Sequence, residues 1–137
     1  MAVVYSDTLK TGRLQAMSDL VAGKVLAAAT GSATAGKLVI MDASSVILVT
    51  INLPTTPFVV SGAGTVLATL QGTPLSGVAG NTGTASKAEL RNNANTTIAS
   101  GLTVGTSGAD IILNSTSITS GQTVTVPAAP ASTITHG

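Results

Sequence analysis

Cysteine and tryptophan are absent from the 137 residues, histidine occurs once (His136, beside the last residue), and Tyr5 and Phe58 are the only aromatic side chains. Each absence removes a class of function. A nucleophilic serine needs a histidine base, and the one histidine stands at the chain end with no partner nearby in sequence. Zinc ligands at their usual spacing do not occur. The five acids, Asp7, Asp19, Asp42, Glu89 and Asp110, lie far apart, so no carboxylate pair for acid–base or glycosidase work is apparent. The core must form without disulfides, and the redox compartment stays open. These residues predict a protein that is not an enzyme and that takes no metal and no cofactor.

Charge is scarce too. Charged residues make up 8% of the chain, against about 25% in an ordinary globular domain, and the formal net charge is +1. Nucleic-acid binding needs clustered cations and stacking aromatics. Lys10, Arg13, Lys24, Lys37, Lys87 and Arg91 are scattered along the sequence, which predicts no nucleic-acid partner. No apolar run approaches the ~18 residues of a membrane span, and the first residues lack the basic and apolar regions of a signal peptide. The expectation is a soluble chain, made in the cytoplasm, with no membrane partner. Low charge also leaves little to keep free copies apart, which points to a surface covered by partners.

What remains is 44% hydrophobic, and a chain of this length is one domain. Large aromatics bury about 150–250 Å² each. Without them the core must be packed from Val, Ile, Leu and Ala, and two facing sheets suit so thin a core. One helix is expected over about residues 11–22, capped by Thr11, with Leu14, Met17, Leu20 and Val21 at helical spacing and Gly23 as its stop. An N-terminal arm over 1–10 precedes it. The β-branched runs Lys37–Asp42 and Val46–Leu53 read as a hairpin. Further strands are expected at Phe58–Ser61, Thr65–Leu70, Ala85–Arg91, Thr96–Ala99, Leu102–Val104, Ala109–Asn114 and Gln122–Val126, with a loop over Gln71–Gly83. In Ala85–Arg91, Lys87, Glu89 and Arg91 alternate with Ala88 and Leu90. The pattern predicts an all-β, jelly-roll or Greek-key sandwich of about eight short strands with one N-terminal helix. Its single domain covers 1–126. Pro127 and Pro130 mark residues 127–137 as an extended C-terminal tail without internal packing.

Motifs that carry chemistry are weak. Gly31 to Lys37 has most of a phosphate-binding loop, but Leu38 stands where Ser or Thr should hold magnesium, and the segment opens a strand rather than a helix. It is expected to be a connector. Gly62-Ala63-Gly64 is a hairpin turn. Asp42 and Asp110 sit where turn-forming aspartates are ordinary, and Asp110 is expected to bond a nearby backbone amide.

Two stretches carry a resemblance: the N-terminal helix with its Gly-rich connector and KLVIMD strand, residues 11–42, and the run GLTVGTSGADIILNSTSITSGQTVTV, residues 101–126. The layout resembles structural components of tailed-bacteriophage virions, and most closely the capsid cement (decoration) proteins, of the jelly-roll kind known from a Bordetella phage. The matching features are turn and strand patterns, so no site is carried over. The resemblance implies a homo-oligomer, such as a homodimer, that binds the outer capsid surface and clamps neighbouring copies of the phage major capsid protein. It implies a virion location. Its alternative is a tail, neck or fibre-associated virion protein. The capsid or oligomer interface is expected at Val3, Val4 and Tyr5 in the arm, Pro127 and Pro130 in the tail, and the loop Gln71–Gly83. Phe58 reads either as interface or as core.

Overall fold

The computed structural model describes residues 6–22, 35–62 and 66–136. The protein is an all-β sandwich with one helix, as the pattern predicts. The helix α1 spans Asp7–Val21 and is followed by twelve strands among the described residues. It begins four residues earlier than expected. Ser6 stands at the N-cap position, its carbonyl accepting the first helical bond from Lys10 N–H at 3.0 Å, so Thr11 lies exposed inside the helix and the arm is shorter than 1–10. The expected stop at Gly23 lies outside the described residues. Leu14, Ser18 and Val21 are buried on one face and Met17 packs against the core beside them. That face touches β3 (Phe58–Ser61), β4 (Val66–Leu70) and β8 (Thr97–Gly105), strands from both layers.

The larger layer is a five-stranded sheet built from β1 (Lys37–Met41), β2 (Ile47–Asn52), β7 (Lys87–Arg91), β8 and β9 (Ile111–Ile112), in the order β2-β1-β7-β8-β9. Register sorts its residues. Leu38 and Ile40 face Ile51 and Val49 on one side and Leu90 and Ala88 on the other, and all six are buried. The opposite face holds Lys37, Val39, Met41, Lys87, Glu89 and Arg91.

Four strands of this sheet form two hairpins of similar build. β1 and β2 join through Asp42–Val46, where Ser45 has φ +68°, Ser45 N–H donates to Asp42 O, and Asp42 Oδ1 accepts from Val46 N–H at 3.0 Å. β7 and β8 join through Asn92–Thr96, where Asn95 has φ +69°, Asn95 N–H donates to Asn92 O, and Asn92 Oδ1 accepts from Thr96 N–H at 3.0 Å. The bulges match as well: Ile40 faces Val49 and Met41 faces Ile47, just as Leu90 faces Ala99 and Arg91 faces Thr97. The central pairing, Lys37 with Arg91 and Met41 with Lys87, is symmetric about Val39 and Glu89. A local two-fold axis therefore passes between those two residues. The second hairpin alone adds a further slip before Leu90, near Gly101 with φ +73°. Gly101 was expected to separate two strands; it lies inside the single strand β8.

The other layer is a rolled antiparallel ribbon, the element from which jelly rolls are wound. Residues 66–85 run against 116–136. β4 pairs with β12 (Thr133–His136), β5 (Leu75–Val78) with β11 (Thr123–Val126), and β6 (Gly83–Thr84) with β10 (Ser117–Ile118). Bonds from Leu70 N–H to Ser132 O, Ala79 N–H to Gln122 O and Ala85 N–H to Thr116 O carry the pairing across the breaks. The expected loop over 71–83 therefore contains β5, which packs on β2. The expected unpacked tail is corrected too: over 133–136 it is a strand, because Thr133-Ile134-Thr135 alternates in β fashion beyond Pro130 and adds to β4.

Small residues let the layers meet. A Cβ on Gly77 would lie 2.8 Å from Thr50 O and 3.1 Å from both Ile51 Cγ1 and Val49 Cγ2. A Cβ on Gly36 would lie 2.6 Å from Val21 O, where the helix end meets the sheet. Ala68, Ala79, Ala85 and Ala88 are buried in the same cluster as Phe58, the one aromatic in it.

Gly77→Ala should cost about 1–3 kcal/mol, because backbone must move to admit the methyl group, whereas Gly80→Ala, with nothing within 4 Å of its Cβ, should stay within about 0.5 kcal/mol of the parent. Urea denaturation of both variants checks this. Ser132→Ala should cost about 1–3 kcal/mol by orphaning the Ile112 amide, and a chain ending at residue 131, which lacks β12 altogether, should unfold at lower urea than Ser132→Ala.

Candidate functional site

The acids are held in local structure. Asp42 Oδ1 accepts from Ser44 N–H at 2.8 Å as well as from Val46 N–H. Asp110 Oδ2 accepts from Thr103 N–H at 3.0 Å and from Thr103 Oγ1 at 3.2 Å, and Asp110 N–H donates back to Thr103 Oγ1. Asp110 thus bonds a backbone amide, as expected, and fastens the loop after β8. Asp19 accepts from Gln15 Nε2 one helical turn away. Among the described residues no group of three acids or histidines is gathered as metal ligands, and no pocket is found.

The expected interface residues scatter. Val3, Val4 and Tyr5 lie outside the described residues. Phe58 is 2% exposed and sits in the central cluster, so it is a core residue. Pro127 is half-buried just after β11, and Pro130 is exposed. His136 belongs to β12, opposite Val66, and not to a loose tail. Among the described residues four large apolar side chains are exposed: Val46 and Ile47 at the first hairpin tip, Val59 on β3 and Val78 on β5. Single exposed aliphatics of this kind are ordinary.

One surface does gather chemistry. Three of the six cations that are scattered in sequence meet on the polar face of the five-stranded sheet. Lys37 stands opposite Arg91, and Lys87 lies farther along β7 between Met41 and Thr103. Thr50, Asn52, Thr97 and Thr103 share this face and are exposed; Lys37, Lys87, Glu89 and Arg91 are half-buried. Stems of long cationic side chains can lie on the strands while their heads reach water. Glu89 holds Arg91: Oε2 accepts from Arg91 Nη2 at 2.8 Å and Nε at 3.0 Å, and from Thr97 Oγ1 at 3.2 Å. Among the described residues neither Lys37 nor Lys87 has an ion-pair partner. Asp110 stands at the rim through Thr103. The face offers two free ammonium groups, one neutralised pair and a field of hydroxyls. That arrangement can bind a surface.

Alternation in Ala85–Arg91 signalled half of this face. The pairing of Lys37 with Arg91 was not legible, because it depends on which strands become neighbours. The chain matches no protein-family model, no curated protein and no solved structure.

Proposed function

We propose that this chain is a structural virion protein that binds the outer surface of an assembled bacteriophage capsid and clamps neighbouring major capsid subunits. The observation that carries the reading is the fold: an all-β sandwich wound from an antiparallel ribbon, with one helix at its N-terminal end. That is the architecture implied by the resemblance to phage cement proteins. The low charge and the polar sheet face agree with a protein that works by contact.

The mechanism is mass action. A clamp that binds the assembled lattice and not the free subunit stabilises the lattice, by about 2.7 kcal/mol per site when present at a hundred times its Kd. Repeated over a shell, this resists outward pressure without any chemistry. The protein acts as a homo-oligomer, is made in the host cytoplasm and resides on the capsid exterior. Because β12 completes the ribbon, binding through residues 127–131 is compatible with folding, whereas residues 132–136 serve the fold first.

Co-sedimentation of the purified protein with undecorated phage shells, beside unassembled capsid subunits, tests the proposal. Saturable binding to shells and none to subunits is the expected result, and it yields the copy number per shell. Absence of shell binding overturns the cement role and directs the search to tail, neck or fibre assemblies.

A further inference from the structure

The two free lysines of the sheet are counterparts under the local two-fold. Lys37 opens β1 and Lys87 opens β7, and lysine is the only residue type that KLVIM and KAELR share position for position. They flank the axis through Val39 and Glu89. From strand rise and spacing their Cα atoms stand roughly 14 Å apart. With Arg91 they place half of the chain's six Lys and Arg residues on one side of one sheet. In a chain with so few charges these three cations gather on one face, with Glu89 among them. Glu89 is paired with Arg91, and Asp110 bonds Thr103 across from Lys87, so neither acid forms an ion pair with a lysine and the five groups together leave one net positive charge.

We propose that this polar face of the five-stranded sheet is a docking surface and that its partner is an acidic protein surface, with carboxylates meeting Lys37 and Lys87. Charge complementarity selects the partner. Duplex nucleic acid is the poorer match, because its affinity comes from many phosphate contacts and only two cations here are free. Exposed Thr50, Asn52, Thr97 and Thr103 provide hydroxyl and amide groups suited to the hydrogen-bonded rim of a protein interface. In the cement reading, on which the shell part of the test rests, this is the face turned to the capsid.

Three single reversals, Lys37→Glu, Lys87→Glu and Arg13→Glu on the helix, change net charge equally and separate a patch from general charge. On immobilised polyglutamate, the two sheet variants are expected to elute at clearly lower salt than Arg13→Glu. With phage shells, the double variant Lys37→Glu/Lys87→Glu is expected to lose about tenfold or more in affinity and to show a weaker salt dependence, as for charges that steer association. Circular dichroism verifies folding, and Lys37→Gln/Lys87→Gln replaces the double variant should the glutamates prevent it. Equal shifts for all three single variants overturn the proposal, as does unchanged shell binding by the double variant. Retention on duplex DNA to higher salt than on polyglutamate, lost in the same variants, overturns it in favour of nucleic acid. If the polyglutamate order holds while the parent protein ignores shells, the docking surface stands and the cement reading falls.

Discussion

Everything in this fold depends on packing two layers with almost no aromatic volume. Phe58 is the one aromatic in the cluster, and the rest is aliphatic, with alanine at several of its most buried positions. Hydrophobic stabilisation scales with apolar area removed from water, and short side chains remove little each. The compensating device is close approach. Gly77 brings β5 onto the backbone of β2, and Gly36 brings the helix end onto the sheet, at distances no Cβ would tolerate. Dispersion falls steeply with separation, so closing a gap of half an ångström matters more here than adding a methylene.

Close layers place a second demand on the sheets, which must not slide or open. Both edges of the five-stranded sheet are closed by the ribbon. Gly80 N–H donates to Leu48 O and Asn81 Nδ2 to Ile47 O along the β2 edge. At the other edge, buried Ser132 Oγ accepts from Ile112 N–H at 2.9 Å. Exposed edges invite pairing with other chains, and a chain with so few charges has little other protection. The same hydrogen bonds that protect the edges also fix the ribbon at the height the glycines require. Register within the sheet is set separately, by two equivalent turns in which Asp42 and Asn92 bind the amides their own loops would leave unpaired.

What was legible in the sequence follows from this division. Local signals were sound where local physics decides. β-branched runs made β1 and β2, alternation made β7, and the turn role of Asp42 and the bonding of Asp110 were foreseeable from residue type. Failures came where tertiary partners decide. Glycine at 77 looked like loop, yet it is a strand residue that lacks a side chain because another backbone occupies that space. Pro127 and Pro130 suggested a loose tail, but the chain resumes β structure after them because β4 offers an open edge. The helix start was misjudged because Ser6 and Thr11 are both N-cap residues by type, and residue type alone does not choose between them. The cationic face was invisible for the same reason. Lys37 and Arg91 are distant in sequence and become neighbours only once β1 and β7 pair.

The two demands together explain why the described residues form a surface and not a cleft. Layers in such close contact leave little interior space for a ligand, and among the described residues Asp42 is held in its turn, Asp110 in the loop lock and Glu89 by Arg91. What remains is the outward side of the larger sheet, whose four antiparallel strands have their register fixed at both hairpin tips. Rigidity matters for a contact protein, since an interface gains affinity when its groups need not be ordered on binding. Two lysines at matching positions of two similar hairpins, on a sheet whose edges are closed, form a preorganised charge pattern of that kind. The features that compensate for a thin core therefore also shape the face: bonds from the ribbon tie down both edge strands of the larger sheet and leave its polar side as the surface it presents.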